Sequence, residues 1–86
     1  MEDPGFDHAP ETPAQVVDAR GHRCPAPTLR LRRALDATRS GGRVLLLADD
    51  PMARIDVPYF IAEAGHVLVD SGAGPDGGLR FLVEKA

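Results

Sequence analysis

Residues 24–48 read CPAPTLRLRRALDATRSGGRVLLLA, a stretch that holds a helix, its stop and a strand in immediate succession. Leu31, Ala34, Leu35 and Thr38 recur at helical spacing with Pro27 one turn earlier on the same face, which predicts a helix over 25–39. Ser40, Gly41 and Gly42 end it, since glycine readily takes the left-handed backbone that closes a helix. Val44, Leu45, Leu46 and Leu47 are continuously apolar, so Arg43–Ala48 reads as a central strand with cover on both faces.

Upstream of this stretch, Gln15–Asp18 is a short apolar run that reads as a first strand, followed by a loop over 19–23. Downstream, Asp49, Asp50 and Pro51 turn the chain out of the central strand. Pro58 restricts Val57, which puts it in the first turn of a second helix with Asp56 as the candidate cap. Val57, Phe60, Ile61 and Ala64 form the expected buried stripe of that helix, Tyr59 lies off it, and Gly65 supplies the stop. Two strands close the chain, His66–Ser71 and Leu79–Glu84, across a glycine-rich loop over 72–78. The order is βαβαββ, an α/β two-layer sandwich with two helices on one face of a four-stranded sheet. The first two strands should be joined by a right-handed parallel crossover, which sets the start of the first helix at the carboxyl end of the first strand.

At 86 residues the chain is expected to form one small domain. Met1–Ala14 carries Glu2, Asp3, Asp7 and Glu11 with no Lys or Arg, and reads as a disordered acidic tail ahead of a domain over 15–86. Setting those four acids aside leaves nine acidic against ten basic residues, a near-neutral domain. The distribution is uneven: between Arg20 and Arg43 stand seven arginines against Asp36 alone. Such a basic segment suits an acidic partner surface or an anionic substrate. One cysteine forms no internal disulfide, and neither a membrane-spanning run nor a secretion leader is visible, so the expected compartment is the reducing cytoplasm.

That cysteine, Cys24, stands in the run Gly21-His22-Arg23-Cys24-Pro25-Ala26-Pro27 at the predicted helix start. Proline is tolerated as a first helical residue because the first-turn N–H groups have no intrahelical partner, so Pro25 is expected at that position and Cys24 as N-cap. Its thiol would then face unpaired amides and the positive end of the helix dipole, a contribution of about 0.3–1 kcal/mol that lowers a thiol from about 8.5 by less than one unit. The simpler alternative is a small core hydrophobe. Leu29 lies among Arg30, Arg32 and Arg33 one turn on and is a candidate docking anchor. Asp49, Asp50 and Arg54 leave the central strand on the same edge and are candidates to lie near the thiol, or plain turn and capping residues.

These residues together resemble the TusA/SirA/YedF family of small sulfur carriers, over about Val16–Glu84. The specific elements are Cys24-Pro25-Ala26-Pro27 with Gly21 three residues ahead, and a second block of Ala48-Asp49-Asp50-Pro51 with Arg54, Asp56, Pro58, Gly65 and His66. The resemblance implies a mixed sheet of strand order 1-2-4-3. It also implies a relay in which Cys24 takes sulfane sulfur as a persulfide from a cysteine desulfurase or rhodanese-like donor. The sulfur then passes to a thiol on an acceptor protein, in transfer-RNA thiolation, molybdenum cofactor maturation or sulfur oxidation. Such a chain is a carrier with a sulfurtransferase-like covalent intermediate rather than a stand-alone turnover enzyme, needs no cofactor, and is expected to act as a monomer. Gly21, Arg23, Pro25 and Pro27 would present the sulfur, while Leu29, Arg30, Arg33, Asp49, Asp50 and Arg54 are the candidates for docking. His22 departs from the aliphatic residue usual there and is read as an exposed loop residue.

A single cysteine suits a carrier, because a neighbouring thiol would attack the persulfide and expel its sulfur. Thioredoxin-type chemistry needs a second cysteine where Pro27 stands. A metal site from Cys24, His22 and His66 has no recognised ligand spacing. Direct nucleic-acid binding is disfavoured by the neutral domain and the lack of an aromatic platform, and no membrane contact is expected. The main alternative is a regulatory or interaction domain, nucleic-acid binding among its options, with an unreactive Cys24.

Overall fold

Pro27, Leu31, Ala34 and Leu35 are buried along one side of the first helix, as their spacing requires, against a sheet whose helix-facing residues are equally apolar. In this computed structural model the described residues are Pro13 and 15–86, so the expectation for the acidic segment before Gln15 lies outside them, Pro13 apart. The elements are β1 (Gln15–Asp18), α1 (Ala26–Asp36), β2 (Arg43–Ala48), α2 (Ala53–Ala64), β3 (Val67–Ala73) and β4 (Leu79–Glu84). They form one four-stranded sheet of order β1-β2-β4-β3. β1 runs parallel to β2, and β4 runs antiparallel to both β2 and β3.

Register decides what the helices cover. Val17 pairs with Leu46 and Leu46 with Phe81, while Val44 pairs with Val83, and all five side chains are buried on the helix side. Leu31, Leu35, Val57, Phe60 and Ile61 complete this core. The expected cover on both faces of β2 holds only in part: Leu47 is buried, but Leu45 on the same face is only half-buried and its cross-strand neighbours Val16 and Leu82 are also accessible. Both helices lie on the other side, and the run Val44–Ala48 is apolar because β2 is central, not because it is sandwiched.

Several element ends differ from expectation, each for a local reason. α1 starts at Ala26 and stops at Asp36, short of Arg39. Lys85 Nζ donates to the carbonyls of Leu35 and Thr38 at 2.6 and 3.1 Å, placing a cation where a helix C-terminus has unpaired acceptors. α2 starts at Ala53, which makes Pro58 an interior residue and removes Asp56 from the cap position. Turns closed by Ala53 N–H to Asp50 and Arg54 N–H to Pro51 begin this helix well before the proline, and buried Ala53 anchors it. Ala53, Val57, Phe60 and Ile61 are its buried stripe, whereas Ala64 at the exposed end is not. His66 belongs to the stop of α2: Gly65 takes φ 82° and the His66 N–H reaches back to Ile61, so β3 begins at Val67. β3 then runs past a bulge at Leu68/Asp70 to Ala73, ending two residues later than its pattern suggests.

Leu35 is fully buried between α1 and the sheet. Leu35→Ala should cost about 2–5 kcal/mol by lost transfer energy and the cavity left behind, read as a lower urea midpoint with an unchanged slope.

Candidate functional site

The parallel β1–α1–β2 unit carries the loop over 19–25 to the edge of the sheet where β2 also leaves it. The loop needs a sharp reversal, and Gly21 provides it with φ 88°, a conformation costly for any residue with a Cβ. Two consecutive carboxylates from the β2 exit then hold the loop. Asp49 accepts the Gly21 N–H through both oxygens at 3.0 Å, and Asp50 Oδ2 accepts the Cys24 N–H at 2.8 Å. The other oxygen of Asp50 accepts the Met52 N–H at 3.0 Å, so one side chain ties the cysteine to the turn that starts α2. Those two backbone bonds, Met52 first, with the nearby Arg23 charge, hold the Asp50 carboxyl below its ordinary value.

Cys24 is half-buried at this edge and packs against the core cluster. Its place differs by one residue from the expected one. Pro25 occupies the N-cap position, the Cys24–Pro25 peptide is cis, and no side chain caps the first turn. The expected acidification is reversed too: burial pushes the thiol up from its ordinary range, and the negative charges of Asp56 and Asp50 push the same way, with hydrogen bonding to Asp56 adding to it. One residue further from the helix, the sulfur gains little from the dipole, which falls off within the first turn. Burial and the two carboxylates all act against it.

Asp56 is the site residue that sequence reasoning missed. Its pattern marked it as a helix cap, and nothing in the local sequence ties it to a cysteine in another element. It sits in the cleft between the helices with Pro25, Thr28, Arg32, Tyr59, Phe60 and Glu63. The packing of α1 on α2 creates that neighbourhood.

The other candidates divide. Arg23 and Pro25 are exposed beside the thiol, whereas Pro27 is buried in the core. Leu29, 55% exposed, lines a groove with Arg30, Arg33 and the edge strand Gln15–Asp18. His22 is exposed as expected and its Nε2 lies 3.0 Å from Arg30 Nη1, so the cysteine loop and the basic helix face adjoin. Asp49 and Asp50 are thus brought to the loop, but Arg54 is not: it lines a separate hollow with Ser71, Gly72 and Leu79. His66 is engaged at the far end of α2, where its Nδ1 accepts the Ala86 N–H at 3.1 Å, so it does not join Cys24 and His22. Among the described residues no three His, Cys, Asp or Glu side chains converge as a metal site would require.

A family profile described as sulfurtransferase TusA matches residues 15–85. A provisionally named sulfur carrier protein of Archaeoglobus fulgidus is 40% identical over 68 residues, spanning 79% of this chain and 88% of its own. The crystal structure of a SirA-like protein from Desulfitobacterium hafniense superposes with a TM-score of 0.72 at 24% identity, over 81% of this chain and 95% of that one, a likeness of fold.

Asp50 has a carboxyl held below its ordinary 3.8, so its contribution to stability is complete above that pH and is lost as the pH falls below it. Asp50→Ala should therefore lower the urea midpoint at pH 7, and the gap to wild type should narrow on acidification to pH values under 3.8.

Proposed function

The chain belongs to the TusA family, and from that premise we propose that it is a sulfur carrier whose Cys24 holds sulfane sulfur as a persulfide between a donor and an acceptor protein. The observation that carries this reading is a single cysteine, half-exposed at the edge of the sheet and tied by its own amide to Asp50. A thiol so placed can be reached by a second protein's active site, and its backbone is fixed before the encounter, which limits the freedom lost on docking.

The transfer is a thiol exchange on sulfur. The Cys24 sulfur attacks the outer sulfur of the donor's persulfide, forming a new S–S bond as the donor's own S–S bond breaks. The electron pair of the broken bond goes to the donor cysteine, which takes up the proton that Cys24 gives up. Cys24–SH and donor–S–SH become Cys24–S–SH and donor–SH. No oxidant or reductant is consumed. Delivery is the same exchange with an acceptor thiol as attacker. Cysteine desulfurases and rhodanese-like proteins carry persulfides of this kind and are the donor classes we assign. Between deliveries the carrier must stand as a free thiol, which makes a reducing compartment such as the cytoplasm the fitting one. None of the helices among the described residues is long and apolar enough to cross a membrane.

Docking falls to the basic face of α1. Arg30 and Arg33 flank exposed Leu29, an arrangement that suits an acidic partner surface with an apolar pocket. Arg23, at the thiol itself, completes the basic rim.

Incubation with a cysteine desulfurase and cysteine should add one sulfur atom by intact mass, labile to reductant and missing from Cys24→Ser. No such gain would remove the carrier reading. Reversing the charge of Arg30 and Arg33 together should slow loading at least several-fold and flatten its salt dependence, while alkylation of Cys24 by small reagents stays the same. Equal loading rates would take both arginines out of the interface.

A further inference from the structure

Resting on the carrier reading, the geometry around Cys24 raises a second question: what keeps an accessible thiol quiet when it has no sulfur to carry? Asp50 stands within hydrogen-bond distance of the Cys24 amide at 2.8 Å, so its carboxylate is beside the residue by construction. Asp56 lines the helix–helix cleft with Pro25, the residue that follows Cys24, and bears on the thiol by charge and by hydrogen bonding. The charged groups bearing on the sulfur are these two, from α2 and from the β2 exit loop, and both are acids. Arg23, next to Cys24 in the chain, acts on Asp50, and the cleft that holds Asp56 is also lined by Arg32 and Glu63.

We propose that Asp56 is a positioning residue for the sulfur chemistry, which together with Asp50 keeps the empty Cys24 thiol protonated and silent while leaving the loaded form free to ionise. The selectivity follows from distance and from intrinsic acidity. A persulfide is a stronger acid than the thiol it is built on, and its charge sits on an outer sulfur about 2 Å further along the S–S bond, away from the carboxylates. The empty carrier then resists alkylation and the first step of cysteine oxidation, both of which proceed through thiolate. The loaded carrier presents its anionic sulfur to the acceptor. In loading, the thiol proton leaves only when the donor cysteine is there to receive it.

The test is the pH profile of Cys24 alkylation by iodoacetamide in the full chain, wild type against Asp56→Asn, at low ionic strength. Asn keeps the size of Asp and removes its charge. If the midpoint falls by about one unit, thiolate at neutral pH rises tenfold and its lower basicity returns about threefold of that, for a net rate increase of about threefold. Coincident profiles would overturn the proposal. The same comparison after loading with inorganic polysulfide should show a smaller rise for the persulfide than for the thiol. An equal rise would overturn the selectivity. Circular dichroism and the urea midpoint establish that Asp56→Asn is folded. If it is not, salt decides with the wild type alone: screening of the two carboxylates should lower the alkylation midpoint, and a profile unmoved by salt refutes their role. Alkylation needs no donor protein, so this experiment can fail while the mass gain from a desulfurase succeeds, and the reverse.

Discussion

Two neighbouring carboxylates that accept backbone N–H groups across the sheet edge give this site its shape. Asp49 and Asp50 leave β2 together and reach the Gly21 and Cys24 amides of the β1–α1 loop, an element separated from them by a whole helix and strand. A loop at a sheet edge has amides that no ladder satisfies, and here side chains from the neighbouring loop meet that need. The cysteine is therefore held by what precedes α2 as much as by what begins α1.

The same economy of charge determines the chemistry of the sulfur. A helix N-terminus favours a thiolate, whereas burial first and neighbouring carboxylates second oppose it. At Cys24 the opposing influences prevail. Pro25 stands at the cap position, which moves the sulfur one residue out of the first turn, while Asp50 and Asp56 remain beside it. A carrier differs from a redox enzyme in this respect: it gains nothing from a permanently ionised thiol and is exposed to damage by one. Of the arginines around Leu29, Arg30 and Arg33 line the groove beside β1, the face we propose for docking, whereas Arg32 lies over Phe60 in the cleft between the helices.

Much of the architecture was legible from periodicity. β1, β2 and β4 have the bounds that their apolar patterns indicate, and the buried stripe of α1 is the one its spacing marks. The strand order agrees with what the family resemblance implied. Ends were less legible, because they depend on partners remote in the chain. Lys85 takes the last carbonyls of α1 from the opposite end of the sequence, and Ala53 is drawn into the core so that α2 starts ahead of Pro58. Leu45 looked sandwiched for a related reason: an unbroken apolar run reports a central position as readily as double cover.

Cys24, its flanking prolines, the glycine turn at Gly21 and the basic face with Leu29 could all be named from the residues themselves, since each is a matter of local backbone preference or helical spacing. Tertiary structure alone decided that Asp50 grips the Cys24 amide, that Asp56 joins it across the helix cleft while Arg54 points elsewhere, and that the thiol is pushed up rather than down. Electrostatic influence depends on separation in space and on burial, and neither is encoded in the spacing of residues along a chain until the sheet and helices have brought them together.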